Sequence, residues 1–156
     1  MNRQDKEIKD SAEIAEILRQ GKFATVGLCR ADEPYVVTLS YGYDSERNAL
    51  YFHCAVKGLK LDFIKANPNA CATVVDDLGY VQGECSHRYR SVVVWGLIAI
   101  VEDVAEKEHA VRVMQDHLER DPELVRRNSP VTTESLEKTG FLRLDIREIT
   151  GKKSAG

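Results

Sequence analysis

The sequence predicts a mainly β protein, a small antiparallel barrel of about six strands in Greek-key or meander order with helices at its edges. Three observations carry that prediction. Strand-like runs follow one another through short turns, from Phe23 to Cys29, Tyr35 to Tyr43 and Leu50 to His53. There is no strand–helix–strand rhythm and no G-x-G-x-x-G after a strand, which disfavours a parallel dinucleotide-binding sheet. The longest strand, Ser91 to Glu102 (SVVVWGLIAIVE), is interrupted by Gly96, and a glycine inside a strand marks a bulge or the bend that a barrel corner needs.

Each element has a local cause. Asp10-Ser11 begins a helix, because Asp10 with Glu13 three residues on resembles a capping box and Ile14, Ile17 and Leu18 form an apolar stripe. Gly21 ends it. Asp32-Glu33-Pro34 turns the chain between the first two strands, and Asp44 to Asn48 is a polar hairpin loop. After the third strand Gly58 punctuates a turn into a short helix, with Leu59, Asp62 and Phe63 at helical spacing and Asn67-Pro68 as its stop. Cys71 to Val75 is a fourth strand, and Asp76 to Arg90 reads as a polar, glycine-containing excursion. Val104 to Leu118 is an amphipathic helix with Ala110, Val111, Met114 and Leu118 on one side. Glu123 to Lys138 is Pro-broken and weakly helical. Phe141 to Ile149 closes with strand alternation. The expectation is one domain over 1–156: an N-terminal helix (1–20), a barrel core (21–103), a helical segment (104–139), a closing strand (140–150) and a tail (151–156).

At 156 residues one domain buries roughly two-thirds of its unfolded surface. A net charge of −3 leaves no basic excess to displace counterions, which argues against nucleic acid as a partner. The N-terminal MNRQDKEIKD lacks the apolar centre of a signal peptide, and the longest uncharged apolar run, Ser91 to Val101, is far shorter than the roughly 20 residues of a bilayer span. A cytoplasmic protein with no membrane partner is expected. Cys29, Cys54, Cys71 and Cys85 show no C-x-x-C spacing and are read as reduced thiols. His109 and His117 lack an H-E-x-x-H arrangement, so no metal is expected, and they read as exposed polar residues of the helix.

The chemistry concentrates in Ala49 to Ala70, ALYFHCAVKGLKLDFIKANPNA. A strand end, a glycine turn and a helix N-terminus leave backbone N–H groups free where an anion can dock, and Lys57 and Lys60 flank that place. One reading is half of a phosphate site, with His53 facing whatever carries the phosphate; the other is solvated lysines and a polar strand end. Cys54 beside His53 has no visible carboxylate partner or oxyanion pocket, which excludes a cysteine hydrolase. Lys152 follows the Thr150-Gly151 turn without the spacing of a P-loop.

Taken together, PYVVTLSYGYD, LYFHCAVKGLKLDFIKANPNAC and RYRSVVVWGLIAIVED resemble the FMN-binding split-barrel family of pyridoxamine 5′-phosphate oxidase, over roughly Gly21 to Lys153. The YRSVVVWG run and the closing DIREITGKKS resemble its nitroimidazole-resistance (5-nitroimidazole reductase-like) branch. The resemblance implies a six-stranded split barrel and a homodimer with one FMN in each of two clefts between subunits. By position, Val37, Thr38, Leu39 and Ser40 would line the flavin ring, His53 and Cys54 would touch it, and Ser91 would contact it from the long strand. Lys60 matches the lysine of the oxidase's Ser-Arg-Lys phosphate motif, here Gly58-Leu59-Lys60. Leu59 stands where that motif has arginine, leaving the phosphate to Lys60, the helix N-terminus and one of Arg88, Arg90 or Lys57. Lys152 matches the lysine of a terminal TGK in that branch; it either reaches the cleft or belongs to a frayed tail. Trp95 and Tyr89 stack on flavin, sit at the dimer seam, or are core. The substrate-binding C-terminal segment of the true oxidases has no counterpart in FLRLDIREITGKKSAG.

The implied activity is FMN-dependent reduction of small aromatic acceptors such as nitro compounds, with electrons from NAD(P)H or a ferredoxin-like protein. His53 would position the acceptor, and His53 and Arg90 would tune the flavin by donating to its charged edge. The alternative is a non-catalytic flavin- or haem-binding protein acting as carrier, sensor or degradation partner; a barrel without cofactor is a third.

Overall fold

In the computed structural model, which describes residues 4–154, a short 3-10 turn (Gln4–Lys6) leads into β1 (Glu7–Ile8), α1 (Ser11–Gln20), β2 (Phe23–Arg30), β3 (Glu33–Asp44) and β4 (Ala49–Cys54). There follow α2 (Leu59–Ala66), β5 (Asn69–Val81), β6 (Ser86–Ile100), α3 (Val104–Leu118), α4 (Pro122–Asn128), α5 (Thr133–Lys138) and β7 (Gly140–Ser154). The strands form one antiparallel sheet in the order β1-β7-β4-β3-β2-β5-β6, and pairing of β6 with β7 closes six of them into a barrel. The two-residue β1 is added outside that ring, on the far end of β7. The expected architecture is therefore present, and the register shift between Trp95 and Gly96 puts a bulge at the glycine that interrupts the long strand.

The interior follows from strand alternation. Val26, Tyr41, Leu50, Phe52, Val92, Val94 and Leu144 point inward and are buried. Two helices close the barrel ends. Ile17 and Leu18 of α1 pack at the end where Val74 and Tyr41 lie, and the buried Tyr41 hydroxyl donates to the Leu18 carbonyl at 2.6 Å. Leu61, Phe63 and Ile64 of α2 fill the other end, where the Phe63 ring meets Tyr35 at 5.1 Å between centroids. Helix α3 lies outside the barrel. Its Ala110 and Met114 cover Ala49 and Tyr51 of β4 and Phe141 of β7 in a second cluster closed by Leu136 of α5.

Several expectations are corrected. The stretch from Asp76 to Arg90 is mostly not a loop: β5 and β6 continue through it as a hairpin arm joined at 82–85. Cross-strand pairs hold its polar sequence in ladder form, Asp76 with Arg90 at 2.8 Å and Asp77 with His87 at 2.8 Å. The closing strand does not stop at residue 150. It runs to Ser154 because Gly151 and Lys152 pair with β1 on one side while 150–154 pair with β6 on the other. Of the expected tail only residues 155–156 remain, outside the described residues. Glu13 does not complete a capping box; Asp10 alone accepts the Ala12 N–H, and Glu13 is ion-paired with Lys153 at 2.7 Å. Residues 122–138 hold two short helices, capped by Asp121 and by a Thr132–Ser135 capping box.

The α3 histidines are not exposed helix trim. His109 donates through Nε2 to the buried Asp44 carboxylate at 2.6 Å. Burial alone would raise the Asp44 carboxyl, but the backbone N–H groups of Arg47 and Glu46, together with His109, outweigh it and hold it below the usual carboxylate range. His117 donates through Nε2 to the Gly21 carbonyl at 2.6 Å, and its ring makes a tilted contact with Tyr41 at 4.8 Å between centroids. Burial pushes the His117 pKa down against that hydrogen bond, and the charge of Lys22 adds to the depression.

The unfolded chain protonates this histidine near pH ~6.5, whereas the folded chain resists until a lower pH. The stability is therefore full above about pH 6.5 and lost as pH falls below it toward the folded value. We expect the melting temperature to decline between about pH 7.5 and pH 5.5, and His117→Gln to flatten that part of the profile in thermal unfolding.

Candidate functional site

The outside of the barrel gathers part of the residues singled out by sequence. Side chains paired across an antiparallel ladder point to one side. Phe23 pairs with Ser40, Thr25 pairs with both Thr38 and Thr73, Val75 pairs with Ser91, and Ser91 pairs with Lys152. Ser40 and Thr38 share their side of β3 with Gly42, which pairs with Tyr51 of β4, and Tyr51 shares its side with His53. Thr38, Ser40, His53, Ser91 and Lys152 therefore all look out of the barrel, on a face where Phe23 (62%), Val36 (64%), Val75 (58%) and Trp95 (41%) are exposed. The Thr25 and Thr38 hydroxyls bond each other at 3.0 Å, and the Lys152 ammonium lies 5.7 Å from the centre of the Tyr89 ring. Trp95 is thus an outer-face residue and not core.

Val37, Leu39 and Cys54 point the other way and pack against the barrel core. Their side chains are wall material, and only their backbone is available to the outer face. Burial pushes the Cys54 thiol up, and nearby Lys60 offsets that only in part, so the thiol is not activated. Arg90 is turned toward α1. Its guanidinium donates to Asp76 at 2.8 Å and Gln20 at 3.1 Å, with Glu16 at 3.6 Å. The fold does not bring Arg90 to the side of Ser91 and Lys152. Lys152 lies within β7, paired with Glu7 and Ser91, and not in a frayed tail.

The turn before α2 has the form the sequence implied. Gly58 is its N-cap at φ 145° and ψ 165°, a conformation essentially confined to glycine, and no side chain caps the helix. A β-carbon placed on Gly58 would meet nothing within 4 Å, so there is open space beside the N-cap. Lys57 is exposed and Lys60 half-buried, and Leu59, in the first turn, is 50% exposed. An open helix N-terminus beside a lysine attracts an anion through both its N–H groups and its dipole.

The sequence reading missed the surroundings of His53. Beside its ring is a cavity of about 370 Å³ walled by Met114 and Leu118 of α3, Val131, Leu136 of α5 and Phe141 of β7. Phe141 pairs with His53 across the β4–β7 ladder, which is why both face it. The one available signal was the apolar side of α3, which extends past Met114 to Leu118. Among the described residues no group of three or more His, Cys, Asp or Glu is placed to hold a metal ion. No helix among them is long and apolar enough to cross a membrane.

A family model described as pyridoxamine 5′-phosphate oxidase matches residues 10–153. The chain belongs to that family. Among solved structures, a candidate 5-nitroimidazole antibiotic resistance protein from Bacteroides thetaiotaomicron is 27% identical, with a TM-score of 0.79 over 94% of this chain and 86% of that one. An FAD- and haem-binding protein from Mycobacterium smegmatis (21% identity, TM-score 0.79, 97% of this chain and 74% of that one) shares the fold. So does a flavocytochrome from Azotobacter vinelandii (23% identity, TM-score 0.79, 96% and 70%). No curated protein matches the chain. These solved structures share the split-barrel architecture seen here.

Proposed function

We propose that this protein is a dimeric flavoprotein, binding FMN between subunits and reducing small aromatic acceptors, nitro compounds among them. The observation that carries the reading is the coincidence, at one strand end, of an uncapped helix N-terminus with Lys60 and an outward-facing His53. The residues present fit the group. The first turn of α2 and Lys60 suit its phosphate, and Thr38, Ser40, Ser91 and Lys152 offer donors along the same outer face that the sequence resemblance assigned to the ring. The exposed Phe23, Val36, Val75 and Trp95, on the same side of the neighbouring strands β2, β3, β5 and β6, support a second copy as the cover of that face, since a contiguous exposed apolar patch marks an interaction surface.

A bound flavin supplies the two-electron redox chemistry. This chain's residues hold and orient: Lys60 and the α2 amides anchor an anion, Lys152 places positive charge beside Ser91, and His53 offers a ring N–H to an acceptor's oxygen. The electron donor in this reading is NAD(P)H or a ferredoxin-like protein, and the setting is the cytoplasm.

The test is the spectrum of freshly purified protein, followed by anaerobic NAD(P)H and then a nitroaromatic. Flavin bands that bleach and return on adding the nitroaromatic are expected. A Soret band, or a colourless protein that ignores added FMN, would sink the reading. Flavin that never reoxidises with the acceptor would favour the carrier. Size-exclusion mass measurement reads the dimer.

A further inference from the structure

The cavity beside His53 has a chemical character distinct from the rest of the outer face. Its walls are mostly apolar, with Met114, Leu118, Val131, Leu136 and Phe141 the main contributors, and its volume of about 370 Å³ lies within the range that holds a small molecule. Neither lysine nor arginine lines it, and Glu119 is the one charged side chain at its edge. The side chains lining it that can donate a hydrogen bond are the His53 ring, the hydroxyls of Ser129, Ser135 and Thr139, and the Gln115 amide, whose oxygen accepts from Arg126 at 3.3 Å.

We infer that this cavity is the acceptor site, and that it takes flat, uncharged aromatic molecules bearing a hydrogen-bond-accepting substituent while turning away carboxylate- and phosphate-bearing ones. An anion entering it would lose hydration against mostly apolar walls, find no lysine or arginine in the lining, and meet the Glu119 carboxylate, while the nearby Arg126 is already paired with Asp116 and Glu123. A nitro group, a quinone oxygen or an imine nitrogen needs only hydrogen-bond donors such as His53 and Gln115, while its ring replaces water against Met114, Leu118 and Phe141. Anion binding is thereby separated from the acceptor: the lysines lie at the α2 turn, and the acceptor cavity has none. The role as acceptor site rests on the reductase reading; the binding selectivity does not.

The test is calorimetric titration of the protein as isolated with nitrobenzene and, separately, 4-nitrobenzoate. We expect nitrobenzene to bind and 4-nitrobenzoate to bind at least about tenfold more weakly. Val131→Trp adds bulk to the cavity wall from a position that is 40% exposed, so the fold tolerates it. It should weaken nitrobenzene at least about tenfold with melting temperature and flavin content unchanged. Glu119→Gln should narrow the gap between the two probes. Equal affinity for both probes, or a Val131→Trp protein that binds nitrobenzene as before, overturns the inference. Binding is read without turnover, so the two readings fail separately. A chain that binds nitrobenzene here but never reduces it keeps the site and loses the reductase. A chain that reduces nitrobenzene with kcat/KM unchanged by Val131→Trp keeps the reductase and loses the site.

Discussion

Gly96→Ala should leave the barrel barely able to close. A β-carbon at that position would stand 1.9 Å from the Asp145 carbonyl oxygen and 2.9 Å from its carbon, both backbone atoms of the facing strand. Backbone in a ladder cannot rotate aside as a side-chain tip can, so β6 and β7 must separate. They do so at the seam that turns an open sheet into a barrel, where Trp95 faces Glu148 and Gly96 faces Ile146. Overpacking usually costs about 1–3 kcal/mol, and a clash with fixed backbone belongs at or above the top of that range. We expect a loss on the order of 4 kcal/mol, a large part of a small domain's ~5–15 kcal/mol stability. Urea unfolding measures it. Gly83→Ala is the control, because that turn glycine has φ 83° but open space around it, and its cost should stay near ~1 kcal/mol. Similar midpoints for the two variants would show that the strands can part freely at Gly96.

In the proposed flavin site, Lys60→Ala should weaken FMN on the order of a hundredfold, and Leu59→Arg should tighten it about tenfold. A lysine about 4 Å from a phosphate oxygen interacts by roughly 4 kcal/mol at an effective dielectric near 20, and partial exposure of Lys60 reduces that figure. Leu59, half-exposed in the first turn of α2, offers a tolerant position for a second cation. Lys57→Ala, on an exposed residue outside the helix, should change affinity less than about threefold. Fluorescence quenching of FMN measures all three, and riboflavin separates cause from accident. Lacking the phosphate, it should bind both Lys60 proteins alike. A Lys60→Ala chain that binds FMN as tightly as the parent would remove the α2 turn from the site.

The barrel was legible because strand alternation, turn residues and the glycine in the long strand are local signals. The hairpin arm was not. Asp76, Asp77, His87 and Arg90 look like loop residues until their pairing across two strands is known. His109 and His117 likewise occur in a helix whose polar residues usually meet water, and only the packing of α3 against Asp44 and Gly21 turns them inward. Lys152 was left between cleft and tail by its sequence, since strand addition at a chain end depends on a partner at Glu7.

The succession of strands along the chain, the glycine turn before α2 and the residue types at His53, Lys60 and Ser91 were set by the sequence alone, because each is written within a few neighbouring positions. Which of them share a surface was decided by tertiary register. A side chain's direction alternates at every residue, and only pairing with another strand joins Thr38, Ser40, Ser91 and Lys152 on one face while sending Val37, Leu39 and Cys54 inward and Arg90 toward α1. The cavity beside His53 belongs wholly to that second kind of information, since its walls come from α3, α5 and β7 and meet only when the helices fold back over the sheet.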